Sequence, residues 1–538
     1  MSKENRVFLF FLLLAAIAVR FLPLLRPIEA LDGKIIPDDC YIALEIAKNI
    51  GQGRGPEYSG NFTNGYQPLF VLLAAPLYSL STEEQLTDVE FLDRKAKQAI
   101  AIVAAADLVG LALLACTLAG YYGWSTPTLI AATIWALHPW VVQTSLNGLE
   151  TSLATCLFFA IWYIFATKAR ASKKILPRIL LGIALGLGVL ARIDLFFAGA
   201  AIAAIELHDF LKGRWNRLEM TRGLLTTGLA FAAVYLPWVA WSWSYTGLFY
   251  PMSGSAVRYQ SLAYCDPGAV PLILWPISLA LGLATILVKA PILSLASVII
   301  LILGKLSLKR SADWKLALPL TTLKLYLQKS PLPWIVTGIL LLAYTCYIFA
   351  WWFFPRYLFI TILPLILTLS AASHVYVTQG PDGKKRRRLL LAVTILACVA
   401  QPRFWEPLIA TPEPGFGYRG IGLWARERFE EGTVVGAMQT GGLAYYAPRI
   451  RIVNLDGVVN ADALAALQEY ELFEYMQRQG IEYFIDWRVN INFLHNHSEG
   501  GRGAPIIFLE EAAVQSWKQS WYLHKVPGKP PGPVELRR

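Results

Sequence analysis

Apolar residues gather along this chain in long blocks, with little of the two-residue alternation of a half-buried sheet. A first block, Val7 to Leu25, is broken only by Arg20 and Pro23. Others follow at 98–120, 126–142, 149–167, 178–191, 193–208, 223–245, 275–306, 332–352, 356–377 and 386–402. A membrane-spanning helix needs about 20 such residues. The 178–191 and 193–208 blocks are short for that, and a weaker block at 66–81 fits a segment that packs against or dips into one leaflet. The 275–306 block is interrupted by Pro276, Lys289 and Pro291, which predicts either one helix with an interfacial lead-in or two helices. The pattern predicts a polytopic α-helical membrane protein with eleven crossings, within a range of about 11–13.

Past residue 402 the pattern changes. Apolar runs shorten, and glycine, proline and charge return. Gly420–Glu431 reads as an amphipathic helix, Thr433–Met438 as a strand, Gly441–Ala447 as a turn and helix, and Ile450–Leu455 as a second strand. Ala461–Gln479 reads as a helix and Glu482–Asp486 as a third strand. This alternation predicts two domains: a membrane domain over 1–402, with a first loop at 26–97, and a soluble α/β domain over 403–538.

Composition removes the other classes. Of 538 residues 56% are hydrophobic and 16% charged, with a mean hydropathy of +0.47, which excludes a soluble globule and a disordered chain. Six cysteines make no disulfide scaffold, although Cys40 and Cys265 both fall on predicted outer loops. The net charge of +11 would suggest nucleic acid in a soluble protein. Here it marks topology. Lys168–Arg178, Lys212–Arg222, Lys305–Lys329 and the KKRRR run at 384–388 hold the positive excess, and such loops stay in the cytoplasm. Lys3 and Arg6 precede the first block and no small-residue cleavage site follows it, so it reads as an anchor with a cytoplasmic N-terminus. The opposite face then receives loop 26–97 (net −4), turns near 143–149, 191–194 and 353–356, the 246–274 loop and the tail (net −2).

Candidate chemistry collects on that face. Asp38 and Asp39 open an amphipathic stretch in which Ile42, Ile46 and Ile50 recur at helical spacing, so an interfacial helix is expected, with one aspartate as its N-cap. A cap needs one carboxylate, and a second beside it suits a general base or a cation site. Glu150 falls at another helix start, which the macrodipole alone would favour. Yet a carboxylate next to an apolar run is expensive and points to function. Arg192 with Asp194, Arg258 and Arg356 each fit an interfacial anchor, but together they form a set able to bind phosphate. The Gly51–Gly55 cluster follows no strand and reads as a turn. The six histidines show no metal spacing, and His495-x-His497 reads as solvated. His138, before Pro139, reads as a helix end.

These motifs resemble the GT-C superfamily of polyprenyl-phosphate-sugar-dependent glycosyltransferases, a group that includes protein mannosyltransferases, aminoarabinose transferases and arabinofuranosyltransferases. Asp38-Asp39-Cys40-Tyr41-Ile42-Ala43-Leu44-Glu45-Ile46-Ala47-Lys48-Asn49, with Gly51, Gly53 and Gly55, is similar to the first outer loop of its bacterial branch. Asn64-Gly65-Tyr66-Gln67-Pro68-Leu69, Asn147-Gly148-Leu149-Glu150-Thr151, Ala191-Arg192-Ile193-Asp194 and Arg356-Tyr357 follow in family order, with Ile193 where the family has proline. The resemblance covers residues 6–402, and the tail is similar only in position.

The resemblance implies a GT-C-like fold in a bacterial plasma membrane. It implies an inverting transfer of sugar from a polyprenyl-phosphate donor to a hydroxyl on a glycan, lipid or protein, on the extracytoplasmic face. It makes Asp38, or else Asp39, the catalytic base. Glu150, Tyr41 and Tyr66 would position acceptor or base, and Arg192, Arg258 and Arg356 would bind the donor phosphate. No metal or other cofactor is required, although Asp38, Asp39 and Glu150 form a conceivable divalent site. Nucleic acid is not an expected partner. The competing classes are a lipid-linked-oligosaccharide ligase or polymerase, whose large middle loop normally carries His, a transporter or flippase, which predicts inverted repeats, and a non-catalytic scaffold.

Overall fold

A computed structural model gives the fold. It describes all residues except 171–173, 265–270, 310–327, 329, 379–381, 414, 499–503, 517 and 529–538. Lys173, Cys265 and most of the third basic patch lie outside the described residues.

Each apolar block is helical. The long ones form Lys3–Phe21, Val89–Tyr122, Arg217–Thr246, Ile362–Thr378 and Gly383–Val399. By length and composition, five helices among the described residues can cross a membrane, or up to seven if two bent pairs each count as one span. Shorter apolar helices, including Thr126–Leu137, Ile175–Ala191 and Leu332–Ile348, complete the bundle. Residues 68–78 are helical but too short to span about 30 Å of hydrocarbon. The 275–306 block is two helices, Pro271–Lys289 and Pro291–Lys309, with a 108° bend between the segments Leu274–Lys289 and Pro291–Ile300. His138 ends one helix and begins the next.

Charge inside an apolar bundle needs partners. Arg20 is fully buried and bonds Asp107 (2.8 Å) and the carbonyls of Ala16, Trp135 and Ala136. Close packing elsewhere uses small residues. The Ile175–Ala191 helix lays Gly182 and Gly186 against Thr227, Ala230 and Val234 of the Arg217–Thr246 helix.

The basic patches and the candidate motifs occupy opposite ends of the bundle. Helix Ile175–Ala191 begins beside Arg178 and ends at Arg192. At the basic end Arg170 and Arg214 bond Asp209 (2.9 and 2.8 Å), Arg178 bonds Glu206, and Arg388 reaches Glu4 (3.2 Å).

The tail is a layered α/β domain. After a small hairpin in the first loop, β1 (Glu57–Tyr58) and β2 (Asn61–Phe62), come β3 (Val434–Ala437), β4 (Arg451–Asn454), β5 (Tyr483–Trp487), β6 (Ile507–Ser516) and β7 (Gln519–Lys525). The five-stranded order is β4-β3-β5-β7-β6. β3 pairs parallel with β4 and β5, and β7 pairs antiparallel with β5 and β6. The helix expected over 461–479 is two, Ala461–Glu469 and Leu472–Arg478, because Tyr470 takes a left-handed φ of 61°. His497 is not solvated: it stacks between Tyr470 and Phe493 and is 4% exposed.

The domain is bolted to the first loop. Tyr41, Tyr58, Tyr78, Tyr445 and Tyr446 are all buried at the joint. Tyr78 bonds Tyr445 (2.8 Å), Tyr58 donates to Thr440 (2.8 Å), Tyr446 to Asp93 (2.9 Å) and Tyr41 to Asp32 (3.0 Å). Loop 456–459 lies directly on Gly65, where a Cβ would collide with the Val458 carbonyl.

Candidate active site

The first-loop helix runs Asp38–Gly51, and its N-cap is Pro37. Neither aspartate caps it, contrary to the expectation from sequence. Both stand in its first turn, where the helix dipole favours negative charge, and their side chains turn outward to different partners.

Asp38 is 4% exposed. Its two oxygens accept the backbone amides of Gly441 (2.8 Å) and Gly442 (2.9 Å) at the start of the short Gly441–Tyr446 helix. One carboxylate thus joins two helix N-termini and ties the tail to the first loop. Glycine is required at 441, because a Cβ there would strike the main-chain oxygen of Asp38. Burial pushes the Asp38 carboxyl up to about 8. The two amides pull the other way, and the charges of Asp39 and Asp486 add to the rise.

Asp39 is the more accessible of the pair, with a third of its side chain exposed. Its Oδ2 is 2.5 Å from Arg356 Nη1, and Arg356 Nη2 is 3.2 Å from Glu150 Oε1. Glu150 is the buried N-cap residue of helix Thr151–Ile164. Arg356 comes from the four-residue helix Phe354–Tyr357. Arg192 stands beside this trio. It bonds Asp194 (2.6 Å) and the Tyr344 hydroxyl (3.1 Å), and its Nη1 reaches the Arg356 carbonyl at 3.4 Å. Tyr344 also donates to Asp194 and stacks on Tyr357 with ring centres 4.4 Å apart. The Arg192 and Arg356 guanidinium groups each lie 5.7 Å from the Tyr357 ring centre. A cavity of about 20 Å³ opens between Thr151, Thr155, Arg192, Asp194 and Tyr357.

Of the residues singled out from sequence, Asp39, Glu150, Arg192 and Arg356 therefore meet. Arg258 does not join them: its Nε donates to the Tyr347 carbonyl (3.2 Å) and its guanidinium lies 4.4 Å over the Tyr347 ring. Tyr66 is buried beside Trp238, and Tyr41 is committed to Asp32 and the tail tyrosines. Asp38, Asp39 and Glu150 do not face one point, because Arg356 stands between the last two and Asp38 points into the tail. Among the described residues no three His, Cys, Asp or Glu side chains form a metal-sized cluster.

Sequence reading passed over four contributors. Tyr344 sat within an apolar block. Gly441 and Gly442 read as a turn. Asp456 lies in the turn after β4. Its Oδ1 accepts the Val458 amide (2.8 Å) and its carbonyl accepts Gln260 Nε2 (2.5 Å). Burial raises its carboxyl to about 7, and the charge of Asp39 adds to this. The signal available was the short Asn454-Leu455-Asp456-Gly457 turn directly after a strand.

Comparison with known proteins places the fold. Residues 413–527 match a family described as a domain of unknown function, DUF8728. A search of curated protein sequences finds no match. Solved structures do match in shape. ArnT from Cupriavidus metallidurans, bound to undecaprenyl phosphate, aligns with a TM-score of 0.54 and 12% identity, over 97% of this chain and 98% of that one. An oligosaccharyltransferase of Archaeoglobus fulgidus, in complex with Zn and sulfate, aligns with a TM-score of 0.55 and 14% identity, over 94% and 72%. The same archaeal enzyme in complex with an inhibitory peptide and a dolichol-phosphate gives 0.54 and 14%, over 93% and 72%. All are membrane glycosyltransferases of the GT-C superfamily, and this chain has the GT-C fold: a helical membrane domain followed by a sheet-containing C-terminal domain.

Proposed function

We propose that the protein is an inverting glycosyltransferase that moves a sugar from a polyprenyl-phosphate donor to an acceptor hydroxyl on the extracytoplasmic face of a bacterial plasma membrane. One observation carries this reading. Carboxylates and guanidinium groups from four segments far apart in sequence, Asp39, Glu150, Arg192 and Arg356, converge at the end of the bundle opposite the basic patches. The resemblance to structures solved with undecaprenyl phosphate and dolichol-phosphate supports the lipid-linked donor.

Asp39, rather than Asp38, is the base in this proposal. Both oxygens of Asp38 are occupied by amides of the tail, whereas Asp39 is one-third exposed and held by one cation. Asp39 takes the acceptor proton as the acceptor oxygen attacks C1 of the sugar. The new O–C1 bond forms on the face opposite the breaking C1–O bond, and the electron pair leaves on the lipid phosphate. That phosphate is a stable anion and needs positive charge rather than a proton. Arg356 and Arg192 supply it, in a site where water is largely excluded. Glu150 holds Arg356 on its far side and sets its orientation. Tyr41 and Tyr66 act only by shaping the loop. Arg258 guides the donor from outside the cluster. With a guanidinium between Asp39 and Glu150, the reaction runs without a metal.

The test is a donor screen. Membranes containing the protein are offered labelled polyprenyl-phospho-sugars, and the label is followed to its acceptor. The proposal expects one sugar to move with inversion, independently of chelator. No transfer from any donor, with lipid translocation in its place, would sink it.

A further inference from the structure

A groove on the outside of the bundle is used by none of the chemistry above. It has a volume of about 350 Å³, a size that takes ligands. Its wall is one apolar stripe of the first helix and its end: Ile17, Ala18, Phe21, Leu22 and Leu25. Its rim comes from helix Val89–Tyr122, where Arg94, Lys97, Gln98 and Ala101 recur at the spacing of a single helical face. The groove itself is therefore almost wholly apolar, with the two charges at its edge.

The two cations have no acid of their own. Among the described residues neither Arg94 nor Lys97 makes an ion pair. Arg94 is exposed and flanks the Phe91 ring (5.7 Å), and Lys97 donates to the Arg26 carbonyl (3.3 Å). The adjacent Asp93 is already held by Arg419 (3.0 Å) and Tyr446 (2.9 Å). The depth also fits an amphiphile. One turn below the cations, Ile100 packs against Gly148, two residues from Glu150, so the rim lies near the level of the candidate site. The first helix carries the apolar wall from Ile17 to Phe21, and a 3-10 turn at Pro23–Leu25 continues it past the helix end.

We propose that this groove holds an anionic phospholipid, with an acyl chain along the first helix and the headgroup phosphate between Arg94 and Lys97. The occupant is a resident lipid of that leaflet rather than the sugar donor. The cations assigned to the donor phosphate, Arg192 and Arg356, stand on other segments, and the groove's own pair, Arg94 and Lys97, serves neither of them.

The experiment uses the full chain in phosphatidylcholine nanodiscs doped with photoreactive phosphatidylglycerol or photoreactive phosphatidylcholine, each with its diazirine at the headgroup. Labelling is mapped by peptide. Phosphatidylglycerol is expected to label the peptide spanning 89–101 roughly tenfold more than phosphatidylcholine, the effect of two interfacial cations on an anionic headgroup. The double variant R94Q/K97Q should fall to the phosphatidylcholine level, and R94K/K97R should keep the preference. Labelling at 384–388, at the other end of the bundle, should not change. Equal labelling by the two lipids, or an unchanged preference in R94Q/K97Q, would overturn the proposal. So would displacement of the label by undecaprenyl phosphate and not by phosphatidylglycerol, which would make the groove a donor site.

Discussion

The two ends of the helical bundle use the same residue types in different ways. At the basic end, Asp209 is bonded by Arg170 and Arg214, which lie 39 and 5 residues away in sequence, and Glu206 is bonded by Arg178, 28 residues away. Arg178–Glu206 ties two consecutive helices, Arg170–Asp209 reaches across one helix, and Arg214 bonds Asp209 at the end of its own helix. At the opposite end Arg356 bonds Asp39 across 317 residues and Glu150 across 206. No neighbouring helix pair needs that contact, and burying such charges carries a desolvation cost that packing alone does not repay. Sequence separation alone does not make the difference, since Arg388 reaches Glu4 across 384 residues at the basic end; what sets the second cluster apart is that one guanidinium is shared by two carboxylates from separate segments, with a second guanidinium beside it. The contrast repeats between two adjacent residues: Asp38 is spent on docking a domain, and Asp39 faces the cluster.

Substitutions that separate these roles break or sharpen the comparison. Asp39→Asn should lower transfer by about 10³-fold, the scale of losing a general base, with the melting profile unchanged. Arg356→Gln should lower kcat by about 10²-fold through lost stabilisation of the leaving phosphate. Asp38→Ala should act on the joint, costing about 3 kcal/mol as the two buried amides of Gly441 and Gly442 lose their acceptor. Limited proteolysis should then release the tail, and transfer should fall by less than in Asp39→Asn. If Asp38→Ala and Asp39→Asn lose transfer equally while the tail stays docked, the two aspartates share one role. Arg178→Gln should leave the rate of the folded enzyme unchanged while lowering its stability by about 3 kcal/mol, read by thermal unfolding.

The joint should also respond to pH. Burial raises Asp32, Asp38, Asp456 and Asp486 to about 7, 8, 7 and 6. Between about pH 4, the ordinary carboxylate value, and these values the folded joint holds more protons than the unfolded chain. Docking is therefore firmest near pH 4 and weakens as pH rises towards 8. Hydrogen exchange at the Gly441–Tyr446 amides, corrected for intrinsic rates, should show protection falling over that window.

Much of this was legible in the chain. Apolar blocks located the helices of the bundle, although among the described residues five of them, or up to seven, are long and apolar enough to cross a membrane where eleven crossings were expected; Lys and Arg counts placed Asp39, Glu150, Arg192 and Arg356 on one side, because both properties are local. The three strands read from the tail appear at β3, β4 and β5. What escaped depends on contact across long separations. Asp38 and Asp39 look equivalent until Gly441 and Gly442, some 400 residues on, claim one of them. Tyr344 looks like lipid-facing bulk until it meets Arg192. Arg258 looks like Arg356 because each is followed directly by a tyrosine, Tyr259 and Tyr357. The fold alone turns Arg258 towards Tyr347. His497 looked polar in a polar loop, and Phe493 and Tyr470 bury it.

The most direct measurement of the central claim is single-turnover transfer in purified wild type, Asp38→Asn and Asp39→Asn, each first shown to keep its tail docked. The labelled donor is the one found by the screen. The account predicts no product from Asp39→Asn within the wild-type time course and measurable product from Asp38→Asn. Wild-type transfer by Asp39→Asn, with Asp38→Asn inert, would contradict it.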